Sequence, residues 1–228
     1  MRIVALGDIH GALPEIPECD VVVIAGDIVP LDVENDGEAS AKWLTESFAS
    51  WCRNLACRRV IFIPGNHDRL LEALVRDYTL EEIHHGLFAD DTEGKIVMLV
   101  DCGYEFEGVS FYGTPWCPDL VNWAFYADDE QRRVRFDAIA NCDVLITHCP
   151  PRVGTQGVVL GQCRVQGSNF GDPVLADVLH TKSIKWVLSG HIHSGNHSVE
   201  QLGTIRCRNC SLKDEHYKIA YEPFVFEV

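Results

Sequence analysis

Five short apolar runs in this chain each stop at a small polar cluster, and that repeated junction constrains the fold more than any other feature. The runs cover residues 3–6, 21–25, 60–63, 144–147 and 186–189. They are rich in Val and Ile and mostly lack polar–apolar alternation, as expected of strands covered on both faces. At or just past their ends stand Gly7-Asp8-Ile9-His10, Gly26-Asp27, Gly65-Asn66-His67-Asp68, Thr147-His148 and Gly190-His191-Ile192-His193. In open α/β sheets, ligands gather at the carboxyl ends of the strands. Residues far apart in sequence can therefore share one small pocket. Glycine at these junctions tolerates a sharp turn and a close approach of backbone to a ligand.

Helical patterns separate the runs. Leu44, Phe48, Trp51, Cys52 and Leu55 recur at helical spacing and define one apolar stripe. Asp36 is the candidate N-cap of that helix. Further helices are expected near residues 70–78, 128–139 and 172–180, and further β-type runs at 96–101, 109–112, 197–206 and 224–228. The pattern is α/β, with a partly mixed sheet or two packed sheets. Residues 150–171 hold Pro150, Pro151 and five glycines, a long connection of the kind that often carries function. No repeat or linker divides the sequence, so residues 1–228 are expected to form one domain.

The formal net charge of −15 disfavours a long nucleic acid as partner. Bound divalent cations would offset that charge locally, which keeps a small phosphate ester in play. No run is apolar enough to span a membrane or to form the core of an export signal. A cytoplasmic location with reduced thiols is therefore expected for the ten cysteines. Cys207-Arg208-Asn209-Cys210 lacks a second pair with which to complete a structural zinc site.

The strand-end clusters offer two carboxylates (Asp8, Asp27), one amide oxygen (Asn66) and four imidazoles (His10, His148, His191, His193). A single histidine at a strand end is usually an ordinary loop residue, and Asp-x-His alone says little. Five clusters, each directly after a buried strand, read as a metal site. Seven donors exceed what one ion needs and suit two. Asp27 stands alone at its strand end and is the candidate bridge, one oxygen to each ion. With no thiolate in this set, the mixed nitrogen and oxygen donors favour manganese, iron or zinc over calcium, manganese first.

As an ordered set, Asp8-x-His10, Gly26-Asp27, Gly65-Asn66-His67-Asp68, His148 and Gly190-His191-x-His193 resembles the calcineurin-like metallophosphoesterase superfamily. The resemblance implies a four-layer αββα sandwich with two central mixed β-sheets. It implies two divalent metal ions, the first held by Asp8, His10 and His193 and the second by Asn66, His148 and His191. Asp27 and a hydroxide would bridge them, the hydroxide attacking phosphorus. Gly113-Thr114-Pro115-Trp116, Thr147-His148-Cys149-Pro150-Pro151 and Asn209-Cys210-Ser211 are similar to the branch of animal brain metallophosphodiesterases and their bacterial relatives. Two departures count against a protein phosphatase. No Asp-Arg-Gly follows the second motif, and the third ends in Asp68 where those enzymes carry Glu.

His67, beside the ligand Asn66, is assigned to the leaving oxygen. Asp68 orients His67, anchors the loop, or is an ordinary helix-start residue. Thr114 and Trp116 are expected to border the substrate pocket, with core packing the alternative for Trp116. The resemblance alone suggests a polar contact from Asn209. The expected activity is hydrolysis of a small phosphodiester, such as a cyclic nucleotide. A phosphomonoesterase acting on a nucleotide or phosphoprotein is the alternative, and a non-catalytic scaffold is a third reading that the intact ligand set disfavours. The sequence leaves the oligomeric state open.

Overall fold

The computed structural model describes residues 1–228. It contains two mixed sheets. The first has the order β11-β1-β2-β3-β4, built from β1 Arg2–Leu6, β2 Val21–Ala25, β3 Arg59–Ile63, β4 Ile96–Met98 and β11 Phe224–Glu227. β1 to β4 run parallel and β11 is antiparallel at the edge. The second has the order β5-β6-β7-β8-β10-β9, built from β5 Cys102–Phe106, β6 Val109–Thr114, β7 Cys142–Thr147, β8 Ile184–Ser189, β9 Glu200–Leu202 and β10 Ile205–Asn209. Its inner four strands are parallel and its edges antiparallel.

The two faces of each strand explain why the apolar runs do not alternate. Ile3, Val23, Ile61 and Ile63 of the first sheet pack against Phe111, Val144, Ile146 and Leu188 of the second. The opposite face of the first sheet, with Val4, Val22, Ile24 and Phe62, packs on Leu44, Phe48 and Cys52. The opposite face of the second, with Leu145, Val187 and Cys207, packs on Phe136, Leu175 and Val178. Helix, sheet, sheet and helix therefore stack as four layers, the architecture expected from the resemblance.

The helices are α1 Gly37–Trp43, α2 Ala49–Asn54, α3 Arg69–Asp77, α4 Leu80–Leu87, α5 Asp129–Asp137 and α6 Pro173–Leu179. A π-helical turn, Leu44–Phe48, joins α1 to α2. Asp36 caps α1, accepting from the N–H groups of Glu38 and Ala39. The sequence reading missed α4, although Thr79 and Glu82 form a reciprocal capping box at its start. It also missed β5, whose Cys-Gly-Tyr-Glu-Phe segment is only half-buried at a sheet edge. No helix is long and apolar enough to cross a membrane.

Gly26 shows how closely the chain is drawn together at the strand ends. Its φ is +91°, and a Cβ there would collide with the His148 ring and press on Gly65. Gly26→Ala is expected to cost about 1–3 kcal/mol, read by urea unfolding of the metal-free protein. Unchanged stability would show that the backbone there has room to relax.

Candidate metal centre

All five predicted clusters meet at one rim. Backbone bonds sew them together: Asp8 N–H donates to Gly26 O at 2.9 Å, His10 N–H to Asp27 O at 2.9 Å, and Gly190 N–H to His148 O at 2.9 Å. Asp8, His10, Asp27 and His191 all adopt positive φ, at 50°, 37°, 53° and 67°. Such conformations are costly for residues with a Cβ and persist where the surroundings over-determine them.

Asp8, His10, Asp27 and His193 place one donor atom each within 4.8 Å of one another. His10 Nε2 lies 3.3 Å from His193 Nε2 and 3.6 Å from Asp27 Oδ2, while His193 Nε2 lies 3.4 Å from Asp8 Oδ1. His193 Nδ1–H donates to Asp214 O at 2.9 Å, which turns its Nε2 toward the group. Asp8 is fixed from behind. It accepts from His191 N–H at 2.9 Å and from the Ser211 hydroxyl at 2.5 Å. Ser211 was noted in the sequence only for its resemblance, and its role here is to hold Asp8.

On the other side of Asp27, His148 Nδ1–H donates to Ala25 O at 2.8 Å. Its Nε2 then faces Asn66 Oδ1 at 2.9 Å and Asp27 Oδ1 at 3.4 Å. Three acceptors aimed at one another require a proton or a cation between them. The donor set therefore fits metal on both sides, and the two oxygens of Asp27 look toward different imidazoles. Nearby, Cys117, His148 and His191 also place donor atoms within 4.8 Å of one another. Cys117 was left out of the sequence reading, which counted no thiol among the donors. It lies just past β6, one further strand end on the same rim.

The protonation states follow from this packing. Burial presses His10 down to about 4, against the opposing pull of Asp27 and Asp8. Burial and the charge on His148 bring His191 down to about 3. Burial also acts against a charged His148, but the charge and hydrogen bond of Asp27, then Asp8, outweigh it and push the ring up to about 10. For Asp8, burial acts to raise the carboxyl, yet His193 and His148 hold it well below the usual range.

His67 sits at the edge of the same group, with its N–H donating to Asp27 Oδ1 at 2.8 Å and its Nε2 3.9 Å from Asp27 Oδ2. Its Nδ1 is held by Glu34 Oε2. Glu34 comes from the acidic 32–38 segment that leads into α1. No motif marks it, because the contact spans 33 residues. Asp68 does not reach His67. Its carboxylate accepts from the N–H groups of Ile28, Val29 and Gly65 at 3.0, 2.9 and 2.7 Å, so it anchors the loops.

The outer residues need correction. Thr114 and Trp116, expected at the pocket border, both donate to Asp101, and the Trp116 ring lies under Arg135. Asn209 is buried and committed to Ile192 O and Ser211 N–H, bracing the His191–His193 turn. Their polar atoms are already spent inside the fold. The open cavity over the donors, about 310 Å³, is instead lined by Leu120, Trp123, Val159, Val165 and Tyr217 beside His67 and His193. A larger cavity of about 550 Å³ lies around Arg53, Arg58, Arg59 and Lys95 at the amino ends of β3 and β4, and the donor cluster takes no part in it.

Comparison with known proteins agrees with this geometry. The sequence profile of the calcineurin-like phosphoesterase family matches residues 1–195. A UPF0046 protein of Caenorhabditis elegans is 28% identical over 255 residues, covering 100% of this chain; the chain spans 60% of that protein's length. A Thermus thermophilus protein of known structure superposes with a TM-score of 0.59 at 14% identity, covering 93% of this chain and 89% of its own. The phosphopantetheinyl hydrolase of Mycobacterium tuberculosis gives a TM-score of 0.55 at 17% identity, covering 94% and 90%. At these identities the two structures show likeness of fold.

The raised His148 sets a pH dependence for metal loading. Below about pH 10 the metal-free ring keeps its second proton, which a cation must expel. Apparent metal affinity is therefore expected to rise about tenfold per pH unit between pH 6 and 8 for each proton released. Calorimetry in buffers of different ionisation enthalpy reads this directly, and a pH-independent affinity would contradict it.

Proposed function

The chain belongs to the calcineurin-like phosphoesterase family, and from that premise we propose that it hydrolyses a small phosphodiester at a centre of two divalent cations sharing Asp27. Asp8, His10 and His193 hold the first ion, and Asn66, His148 and His191 the second. The observation that carries the reading is Asp27 itself, with Oδ2 3.6 Å from His10 Nε2 and Oδ1 3.4 Å from His148 Nε2. These nitrogen and oxygen donors suit manganese first, then iron or zinc. A cytoplasmic setting, where free manganese and reduced thiols coexist, is consistent with ten unpaired cysteines.

When bound, such a pair lowers the pKa of water and offsets charge on a phosphoryl group. The chain's own residues supply the rest. His67 presents Nε2 to the cavity and protonates the leaving oxygen there. Glu34, on its Nδ1, fixes the ring. Both side chains are only 10% exposed, so solvent does little to loosen the pair. Trp123 covers the other face of His67, with ring centroids 4.5 Å apart. Tyr217 lies 5.1 Å from His10 and 5.0 Å from His193, centroid to centroid, at a positive φ of 59°. The cavity thus pairs one polar floor with apolar walls, which suits a phosphate bearing an organic group on each side. A nucleotide diester has that shape. Lining cations that would grip a dianionic monoester are absent from its walls.

His67→Ala is expected to retain both ions while losing about 10²–10⁴ in kcat on a phenyl diester. The loss should be smaller on bis-p-nitrophenyl phosphate, whose leaving group needs less help. Equal rates for parent and variant on both esters would remove His67 from the reaction. Glu34→Gln should lower turnover on the phenyl ester roughly tenfold or more, again sparing the nitrophenyl ester. A manganese-loaded panel of cyclic nucleotides, linear diesters, nucleotide monoesters and a phosphopeptide tests the substrate class. Turnover confined to monoesters would favour the phosphomonoesterase instead.

A further inference from the structure

The second cation position carries a donor that its strand-end motifs do not announce. Cys117 is fully buried, and its thiol donor lies within 4.8 Å of the donor nitrogens of both His148 and His191. Adjacent ligands on one tetrahedral ion, with Zn–S near 2.3 Å and Zn–N near 2.0–2.1 Å, stand roughly 3.5 Å apart. The cluster therefore needs only a small contraction to close on an ion. The Cys117 thiol otherwise faces only the thiol of Cys149. Its only backbone hydrogen bond is a 3.5 Å contact to Pro115 O, two residues back in the same turn.

The turn that carries Cys117 is fixed by the site. Cys117 N–H donates to Phe125 O at 2.9 Å, Ala127 N–H to Cys117 O at 3.2 Å, and Ala124 N–H to Asn66 O at 3.2 Å. Cys117 is thus tied through the 124–127 segment to the backbone of Asn66, a proposed ligand of the same ion. Phe125 adopts a positive φ of 52° within that segment. A thiol held this way is placed, as the other donors are.

We propose that Cys117 is a protein ligand of the second cation, completing an Asn66, Cys117, His148 and His191 set with Asp27 as the bridge. This rests on the two-cation reading and changes only what the second position selects. A thiolate is a soft donor that favours zinc, cobalt or iron(II) over manganese. The first position, with Asp8, Asp27, His10 and His193, has none and keeps its preference for a harder ion. The two positions are therefore chemically unequal, and the resting protein carries a softer ion beside His148 and His191 than beside His10.

Cobalt(II) titration of the metal-free full chain tests this without using turnover. The wild type should take up two equivalents, one of which brings a sulfur-to-cobalt charge-transfer band in the near ultraviolet. Cys117→Ser should lose the band, keep two-ion uptake, and lose at least tenfold in its preference for zinc over manganese at one position. Cys149→Ser, altering the neighbouring thiol that faces Cys117, should keep the band. X-ray absorption at the zinc edge of the wild-type protein guards against a Cys117→Ser chain that fails to fold. It should give a sulfur scatterer at about 2.3 Å. Two cobalt ions bound with no sulfur band, a band that survives Cys117→Ser, or a zinc shell of nitrogen and oxygen alone would overturn the assignment while leaving the two-cation centre standing. No stoichiometric uptake of cobalt would bring down both.

Discussion

Two carboxylates buried together without a lysine or arginine between them are the constraint on which the rest of this structure depends. Asp8 and Asp27 are essentially closed to solvent, and every ion-pair partner within 4 Å of either is a histidine. Two negative groups in a dry site repel each other, and burial penalises both. The fold meets this cost by converging four imidazoles and two backbone N–H groups on the pair. Those N–H groups come from His67 and His191, each at the end of a different strand. The same arrangement turns His148 Nε2, Asn66 Oδ1 and Asp27 Oδ1 toward one another, a meeting of donors that requires a proton or a cation between them.

That constraint was legible because it leaves its mark at strand ends. An apolar run reads as a buried strand, and a donor after its last residue must project from the sheet's rim. Asp8, His10, Asp27, Asn66, His148, His191 and His193 are all marked this way, and the structure brings them to one rim. The four layers were implied by the family resemblance; the apolar runs, such as Val21–Ala25, where every residue is buried, marked only strands covered on both faces. Residues that reach the site from loops were not found. Glu34 and Tyr217 arrive from segments with no periodicity, and their contacts depend on how those loops fold back. Cys117 follows a strand end like the others, but ten scattered cysteines gave no reason to single it out. Thr114, Trp116 and Asn209 failed in the opposite sense. They stand at strand ends, yet Asp101 and the turn at Ile192 claim their polar atoms.

The acidic surface and the site fit together. With 34 acidic against 19 basic residues, the chain repels polyanions at long range. With the proposed cations bound, the cavity would be a local exception, open to a small monoanion and closed to an extended one. Its apolar walls, Leu120, Trp123, Val159 and Val165, add contact area for whatever the phosphate carries. Under the proposed function, charge would select for small size and the walls for an organic substituent.

The account stands or falls on Asp27 as a shared ligand. Metal content measured by elemental analysis after equilibrium dialysis, for the parent and for Asp27→Asn, tests this most directly. The shared carboxylate predicts two ions per chain in the parent and weakened retention of both in the variant, because one side chain serves each. Loss of a single ion with the other held at parental affinity would contradict it, as would full retention of two.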